Sequence, residues 1–428
     1  MERRRFLQNI GATAVGFSLL NSAMAGQMAA SAAAVGKVVV VGGGMAGTSV
    51  AKYLRFWGGA GVDVTLVEPN ATYISNIFSN MVLTGERSLS QLSFNYSILK
   101  SKYGVKVQNS SVTSIDPVGK KVTLSGGTTL PYDRLVLAPG IDFESLPLSG
   151  TATNQAKIVH AWKAGTQTTS LKNQIQAMTK SDTYILTIPP APYRCPPGPY
   201  ERACVVADYL KTTKGGGKVV ILDANPKILA EPLNFTKAFN ETHKGIITYL
   251  PNAPVTSINA DTMTVVSAAG TFTGKVINAI PNHKAGNLIT TSGIGLANSA
   301  DKKWAAVNVL SYESTAIPGI HIIGDSSSTT QPKAGHIANA EAKVCADAII
   351  QFFKNGTINQ MPMTNSSCFT PITKTTASWL TAIYRYDPAS KTMKIAGSDI
   401  PTESNGATSE NYEDMLKWFN NLMADTFA

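Results

Sequence analysis

Two sets of residues in this chain have types and spacing that can do chemistry. The first is Gly42-Gly43-Gly44-Met45-Ala46-Gly47. It follows a strand-like run, Lys37 to Val41, and precedes a helical run, Thr48 to Phe56. A second strand, Val62 to Val67, then ends at Glu68. In that order, Gly42 makes the tight turn and Gly44 lets the backbone approach a pyrophosphate. Gly47 lets helix and sheet pack closely. The helix N-terminus faces the phosphates, and Glu68 is placed for ribose hydroxyls. The second set is the cysteines: Cys195, Cys204, Cys345 and Cys368. In an oxidising compartment an even number can be bridged. Four allow three complete pairings, or one bridge and two free thiols. Cys204 and Cys345 stand in apolar helical contexts and read as small core residues.

Positioning these groups takes an α/β chain. Arg134 to Gly140 reads as a buried strand ending in the tight turn Ala138-Pro139-Gly140. Gly319 to Asp325 reads as another strand, with Gly324-Asp325 at its carboxyl end. Ligands of open α/β sheets sit at that end, so Asp325 is placed to hydrogen-bond a cofactor's ribityl or phosphate region. Between these runs lies a second α/β unit. It has a strand at Tyr184–Ile188, a helix near Ala203–Leu210 and a strand at Val219–Leu222 ending in Asp223. Where a nicotinamide-binding unit would carry glycines, this one carries Pro189 to Gly198, with five prolines. Proline has no N–H and blocks close approach to a pyrophosphate, so this unit is expected not to bind NAD(P)H. Gly335–Phe353 and Asn411–Met423 read as helices.

The expected architecture is two nested Rossmann-like, FAD/NAD(P)-binding-like domains plus a small C-terminal α+β domain. The expected bounds are a first part at 36–150, the second Rossmann-like unit at 151–285, a returning part at 286–355 and the last domain at 356–428. Residues 1–25 read as an export signal. Arg3-Arg4 with Phe6-Leu7, an apolar run from Ile10 to Leu20 and Ala23-Met24-Ala25 fit a twin-arginine leader and its cleavage site. The expected location is therefore the periplasm, with the leader removed.

Composition excludes other classes. The 428 residues are 43% hydrophobic and 15% charged, which argues for a globular chain and against a disordered one. The net charge is +10, but lysine and arginine are scattered and form no long run, so no nucleic-acid role is expected, and a basic surface that docks an acidic protein partner or an anionic substrate fits the balance equally well. Beyond the leader, no run reaches the roughly 20 apolar residues that an integral membrane helix needs. The five histidines are dispersed and suggest no metal site. No Cys-x-x-Cys-His is present, so this chain carries no covalently attached c-type haem.

With these residues placed, the chain resembles the flavoprotein disulfide-reductase-like family. It is similar above all to the flavoprotein subunits of flavocytochrome c sulfide dehydrogenases, and more distantly to sulfide:quinone oxidoreductases. The resemblance is carried by Val38–Gly47 with Glu68, by Tyr193-Arg194-Cys195-Pro196-Pro197-Gly198-Pro199-Tyr200-Glu201-Arg202, and by Val276–Pro281. His321–Asp325 and the segments around Cys368 and Trp418 add to it.

The resemblance implies FAD, and a redox disulfide beside the flavin formed by Cys195 and Cys368. It implies sulfide oxidation to sulfur or polysulfide, with electrons passed to a c-type cytochrome subunit. Glu201 can act as acid and base for the thiols and sulfide. The helix starting near Gly335 can direct its positive end at the flavin, Lys333 can add charge there, and Trp418 can stack near the flavin or line the electron exit. Members with a covalent flavin attach it through a cysteine where this chain has Asn76. FAD is therefore expected to be bound without a covalent link. Two alternatives stand beside this reading: a sulfide:quinone oxidoreductase, and an exported non-catalytic flavin subunit that relays electrons.

Overall fold

The computed structural model describes residues 36–354, 356–397 and 400–428. The leader expected at residues 1–25 lies outside the described residues.

The first strand, β1 (Gly36–Val41), is followed by α1 (Met45–Gly58) and β2 (Val62–Val67). Its valines do not alternate with polar residues because both faces are covered. Val38 and Val40 pack into one core cluster and Val39 and Val41 into another. A short helix, α2 (Ser79–Thr84), lies beyond β2, and then come β3 (Lys106–Gln108) and β4 (Arg134–Leu137).

The chain then leaves this sheet and builds a second one. It contains β5 (Thr183–Ile188), α3 (Gly198–Thr213), β6 (Lys218–Asp223), β7 (Ile247–Leu250) and β8 (Val276–Ala279). The four strands are parallel, in the order β7-β6-β5-β8. Helix α3 starts five residues ahead of the expected Ala203. Pro197 stands at its N-cap and Pro199 in its first turn, where a missing N–H costs nothing. The proline-rich motif is thus the helix start itself, and Glu201 falls in the first turn.

The chain returns to the first sheet with β9 (Ala305–Asn308), β10 (Glu313–Ser314), β11 (Ile320–Ile322) and β12 (Ser327–Ser328). The completed sheet has eight strands, in the order β12-β9-β10-β11-β4-β1-β2-β3. Helix α4 (Gly335–Lys354) packs beside α1.

The last unit is a small antiparallel sheet. Its central strand β14 (Ala377–Asp387) pairs with β13 (Met363–Pro371), β15 (Thr392–Ile395) and β16 (Thr402–Glu403). Helix α5 (Ser409–Phe427) closes the chain. It starts two residues before the expected Asn411 because Thr408 caps it, its side chain accepting the Asn411 N–H at 3.0 Å. Lys52 of α1 donates to the Asp425 and Ala428 carbonyls at the end of α5, where a cation suits the helix dipole. This docking, with β13 packed on α4, brings Cys368 from the far end of the chain to the carboxyl ends of the first sheet's strands.

Candidate functional site

A cavity of about 910 Å³ opens where β1, β4 and β11 end, between the first sheet, α3 and β13. One wall is a dinucleotide cradle. Gly42 has φ +103°, and a Cβ there would strike the Ala138 carbonyl. A Cβ on Gly47 would overlap the carbonyl oxygen of Gly42. Gly42 and Gly44 line the cavity directly, whereas Gly47 holds the turn from behind. The Glu68 carboxylate accepts the Gly43 N–H at 2.7 Å and the Asn70 N–H at 2.9 Å. Ala138, Pro139, Gly140, Gly324, Asp325 and Gly335 complete this wall.

Asp325 Oδ1 is buried and has no hydrogen-bond partner. Burial pushes its carboxyl up, while Arg194 and Lys333 oppose the shift. An orphaned carboxyl oxygen at the carboxyl end of a strand suits the hydroxyls of a ribityl or ribose chain. The cradle therefore fits a dinucleotide such as FAD.

The opposite wall carries the thiols. Cys195 and Cys368 both line the cavity, half-buried. They are free thiols here, so the bridge expected between them is not formed in this structure. Cys204 and Cys345 are buried away from the cavity. Cys195 adopts φ +61°, an unfavourable conformation for a residue with a Cβ. It is held there from both sides. Its N–H donates to the Lys333 carbonyl at 2.7 Å, and its carbonyl accepts the Gly198 N–H at 2.9 Å. Burial pushes the Cys195 thiol well above its ordinary range. Cys368 and Glu201 add to the shift, and Arg194 and the Gly198 N–H oppose it.

Glu201 borders both thiols. Asn80 of α2 donates to its carboxylate at 2.8 Å. Burial pushes its pKa to about 8, against the Asn80 hydrogen bond and the charge of Arg202. In the unfolded chain the same carboxyl titrates near 4.5, so between these values the folded form binds one more proton. Stability contributed by this group is present below about pH 4.5 and is lost as pH rises through about 8. Glu201→Gln is expected to flatten the fall of melting temperature over this window, read by thermal unfolding from pH 5 to 8.5. Glu231 and Glu341, raised to about 7 and about 8 mainly by burial, keep a residual slope of the same sign.

The structure corrects the expectation for Lys333. Its side chain does not line the cavity. The ammonium donates to the Asp325 and Ser327 carbonyls at 2.9 and 2.7 Å and sits over the Trp304 ring at 3.7 Å. Lys333 thus pins the Gly324–Ser328 loop; its carbonyl holds Cys195, and its charge acts on the site through the Asp325 carboxyl. Asn76 lines the cavity and accepts the Ala164 N–H at 2.8 Å. Trp418 also lines it, beside Phe369 and His336.

Sequence reasoning missed the network behind Glu201. Arg202 is 1% exposed. It donates to Asn80 Oδ1, the His160 carbonyl, Asn278 Oδ1 and the Ala161 carbonyl, all within 2.9 Å, and lies over the Trp162 ring at 4.5 Å. Asn80 therefore clamps both members of the Glu201-Arg202 pair. The available signal was an arginine leading the apolar run Ala203 to Ala207 of one helix.

In the second unit, Asp223 ends β6 where a ribose-binding acid would stand. Its carboxylate is already filled by the Tyr200 and Tyr249 hydroxyls at 2.8 and 2.9 Å and by Asn225. Among the described residues, no helix is long and apolar enough to cross a membrane, and no cluster of three or more ligating side chains could hold a metal ion.

Residues 168–281 match the family described as sulfide dehydrogenase [flavocytochrome c] flavoprotein chain, central. Residues 36–179 match the pyridine nucleotide-disulphide oxidoreductase family. A sulfide dehydrogenase [flavocytochrome c] flavoprotein chain of Chlorobaculum thiosulfatiphilum is 52% identical over 46 residues, which is 11% of this chain and 94% of that sequence. Ferroptosis suppressor protein 1 of Taeniopygia guttata is 32% identical over 106 residues, 25% of this chain and 27% of that protein. The chain thus spans about a quarter of that relative's length. Among solved structures, the sulfide:quinone oxidoreductase of Aquifex aeolicus superposes with a TM-score of 0.71 at 18% identity, over 91% of both chains. That likeness is one of fold: the mixed α/β architecture of FAD/NAD(P)-binding disulfide oxidoreductases. The family matches also support a flavin cofactor.

Proposed function

Because this chain belongs to the flavoprotein disulfide-reductase-like family, we propose that it oxidises sulfide to zero-valent sulfur or polysulfide and passes the electrons to a c-type cytochrome subunit. One observation carries the reading: Cys195 and Cys368, far apart in sequence, line the same cavity as the dinucleotide cradle. The match of residues 168–281 to the sulfide dehydrogenase flavoprotein family supports it.

In this reading the two thiols alternate with a Cys195–Cys368 bridge. Hydrosulfide is a good nucleophile and a disulfide its natural electrophile. Its attack breaks the S–S bond and forms a new one, leaving a persulfide on one cysteine and a thiolate on the other. Bound FAD supplies a two-electron acceptor. Over a full turn, hydrosulfide gives up two electrons and one proton and becomes zero-valent sulfur. Burial, which pushes the Glu201 carboxyl up to about 8, suits it to donate a proton to the departing thiolate and recover one from the persulfide.

Glu68, the glycine turn and Asp325 would hold the FAD. Asn76, a carboxamide, cannot form a thioether, which supports non-covalent binding. Tyr200 and Tyr249 fill Asp223, which supports electron exit by a route other than NAD(P). No Cys-x-x-Cys-His stands in this sequence, which supports a haem carried on a separate polypeptide, and the twin-arginine pattern of residues 1–25 supports work in the periplasm.

The test is an anaerobic titration of the purified flavoprotein with sulfide. The visible flavin bands are expected to bleach near one equivalent. Subsequent addition of a c-type cytochrome is expected to restore them, and a quinone is not. An unchanged oxidised spectrum would remove sulfide as the donor; recovery with quinone alone would replace the cytochrome as acceptor.

A further inference from the structure

A second buried carboxyl stands behind the thiol wall. Glu231 is 0% exposed and sits where the second unit meets the C-terminal sheet. Its backbone is in the left-handed region, φ +51°, where a residue with a Cβ is strained. One carboxylate oxygen accepts the Thr370 hydroxyl at 2.6 Å. The other accepts the Ser378 hydroxyl and, at 3.5 Å, the Asn234 amide. Thr370 and Ser378 are a directly paired couple on β13 and β14. Cys368 precedes Thr370 by two residues on β13, so both side chains project from the same face of the sheet. The carboxyl is therefore anchored one pleat repeat, about 7 Å along the strand, from the cysteine.

The groups that act most strongly on Glu231 are acidic or neutral, the nearest lysine on its own helix, Lys237, lying by Gly406. Glu403 of β16 faces it, accepting the Leu233 and Asn234 N–H groups beside it. Glu201 and Cys204 face it from α3, and Cys368 from β13. Among the described residues no cation forms an ion pair with it. Its negative charge is thus uncompensated and acts at short range in a poorly polarisable interior. The effect on the two thiols is unequal. Burial raises Cys368 most, to about 12, and Glu231 is the next contributor, ahead of Glu201. The groups acting most strongly on Cys195 are Cys368, Glu201 and the opposing Arg194, not Glu231.

We propose that Glu231 is a positioning residue for the thiol pair. Its carboxylate, hung on the Thr370–Ser378 couple behind Cys368, selectively disfavours negative charge on the Cys368 sulfur and makes the two thiols unlike. This rests on Cys195 and Cys368 being the working pair, but its test needs no sulfide, so it stands or falls apart from the sulfide reading.

The experiment is alkylation of the reduced full-length holoprotein with iodoacetamide as a function of pH, without oxygen, with each cysteine followed by peptide mass mapping. In Glu231→Gln, an isosteric change that can still bond to both hydroxyls, the Cys368 labelling midpoint is expected to fall by about one pH unit. The Cys195 midpoint is expected to move by less than a third of that. Glu231→Asp keeps the charge and is expected to leave Cys368 within about 0.3 unit of wild type. Cys204 and Cys345 stay unlabelled while the fold is intact and so monitor it. An unmoved Cys368 midpoint in the glutamine variant overturns the proposal. So does an equal shift at both cysteines, or an aspartate variant that shifts as far as the glutamine one.

Discussion

Serine in place of Cys195, or of Cys368, is expected to lower the rate of flavin bleaching by sulfide by about a thousandfold or more, with the flavin still bound. A hydroxyl cannot form the bridge that hydrosulfide attacks, and an alkoxide is a far poorer leaving group than a thiolate. The flavin is retained because its cradle lies on another wall. Gly42, Gly44, Glu68 and Asp325 come from the first sheet and its turns, and neither thiol side chain bonds to them. The two variants are expected to be equally inactive, since a pair acts as a unit and losing either member loses the bridge. Cys204→Ala provides the contrast. Cys204 is buried away from the cavity, so the variant is expected to keep its rate within about threefold while losing some stability. Stopped-flow absorbance at the flavin bands, with flavin content measured on the same samples, reads both quantities. Substantial bleaching in Cys368→Ser would separate Cys368 from the reaction and leave Cys195 as a lone thiol.

The largest structural loss is expected for Arg202→Met. Methionine fills much of the arginine's volume but removes every donor. Four acceptors then lose their partner in a closed interior: Asn80 Oδ1, Asn278 Oδ1 and the His160 and Ala161 carbonyls. Unsatisfied buried acceptors cost about 1–3 kcal/mol each before relaxation. Asn278 keeps the Tyr184 hydroxyl at 2.9 Å, and the His160 carbonyl keeps the Asn278 amide at 3.0 Å, which softens two of these losses. A net cost of about 3–5 kcal/mol follows, a drop of about 4–6 °C in the melting temperature of the holoprotein. Arg202→Lys is expected to recover little of it, because an ammonium cannot reproduce the planar fork that reaches acceptors on three sides. A melting temperature within about 2 °C of wild type for the methionine variant would mean that the network is not what holds α2 against α3.

The glycine turn, Glu68 and Asp325 are legible in the chain, because each belongs to a motif whose requirements are local, whereas the pairing of Cys195 with Cys368 comes from the family resemblance. A tight turn after a strand needs glycine at Gly42 whatever else the protein contains. A valine run such as Val38–Val41 announces a strand covered on both sides. Even the early start of α3 has a local cause in Pro197 and Pro199, whose fixed φ and missing N–H suit the first turn of a helix.

Arg202, Asn80 and Asn278 are different. They come from three segments, and nothing near Asn80 or Asn278 in the chain marks either as a partner for a buried guanidinium. Lys333 shows the same limit from the other side. Its charge and its place before α4 are plain in the sequence, but the direction of its side chain is set by Trp304 and the Gly324–Ser328 loop, and it points away from the cavity. Glu231 carries no motif at all and gains meaning only from the β13–β14 register that puts Thr370 and Ser378 side by side. The sequence by itself determined the α/β class and the dinucleotide turn, because these follow from backbone sterics and residue chemistry over short spans. The tertiary structure alone decided which carboxyls stay protonated, which charges face the cavity and which thiol feels them, because burial and electrostatic field depend on neighbours that the chain supplies from far away.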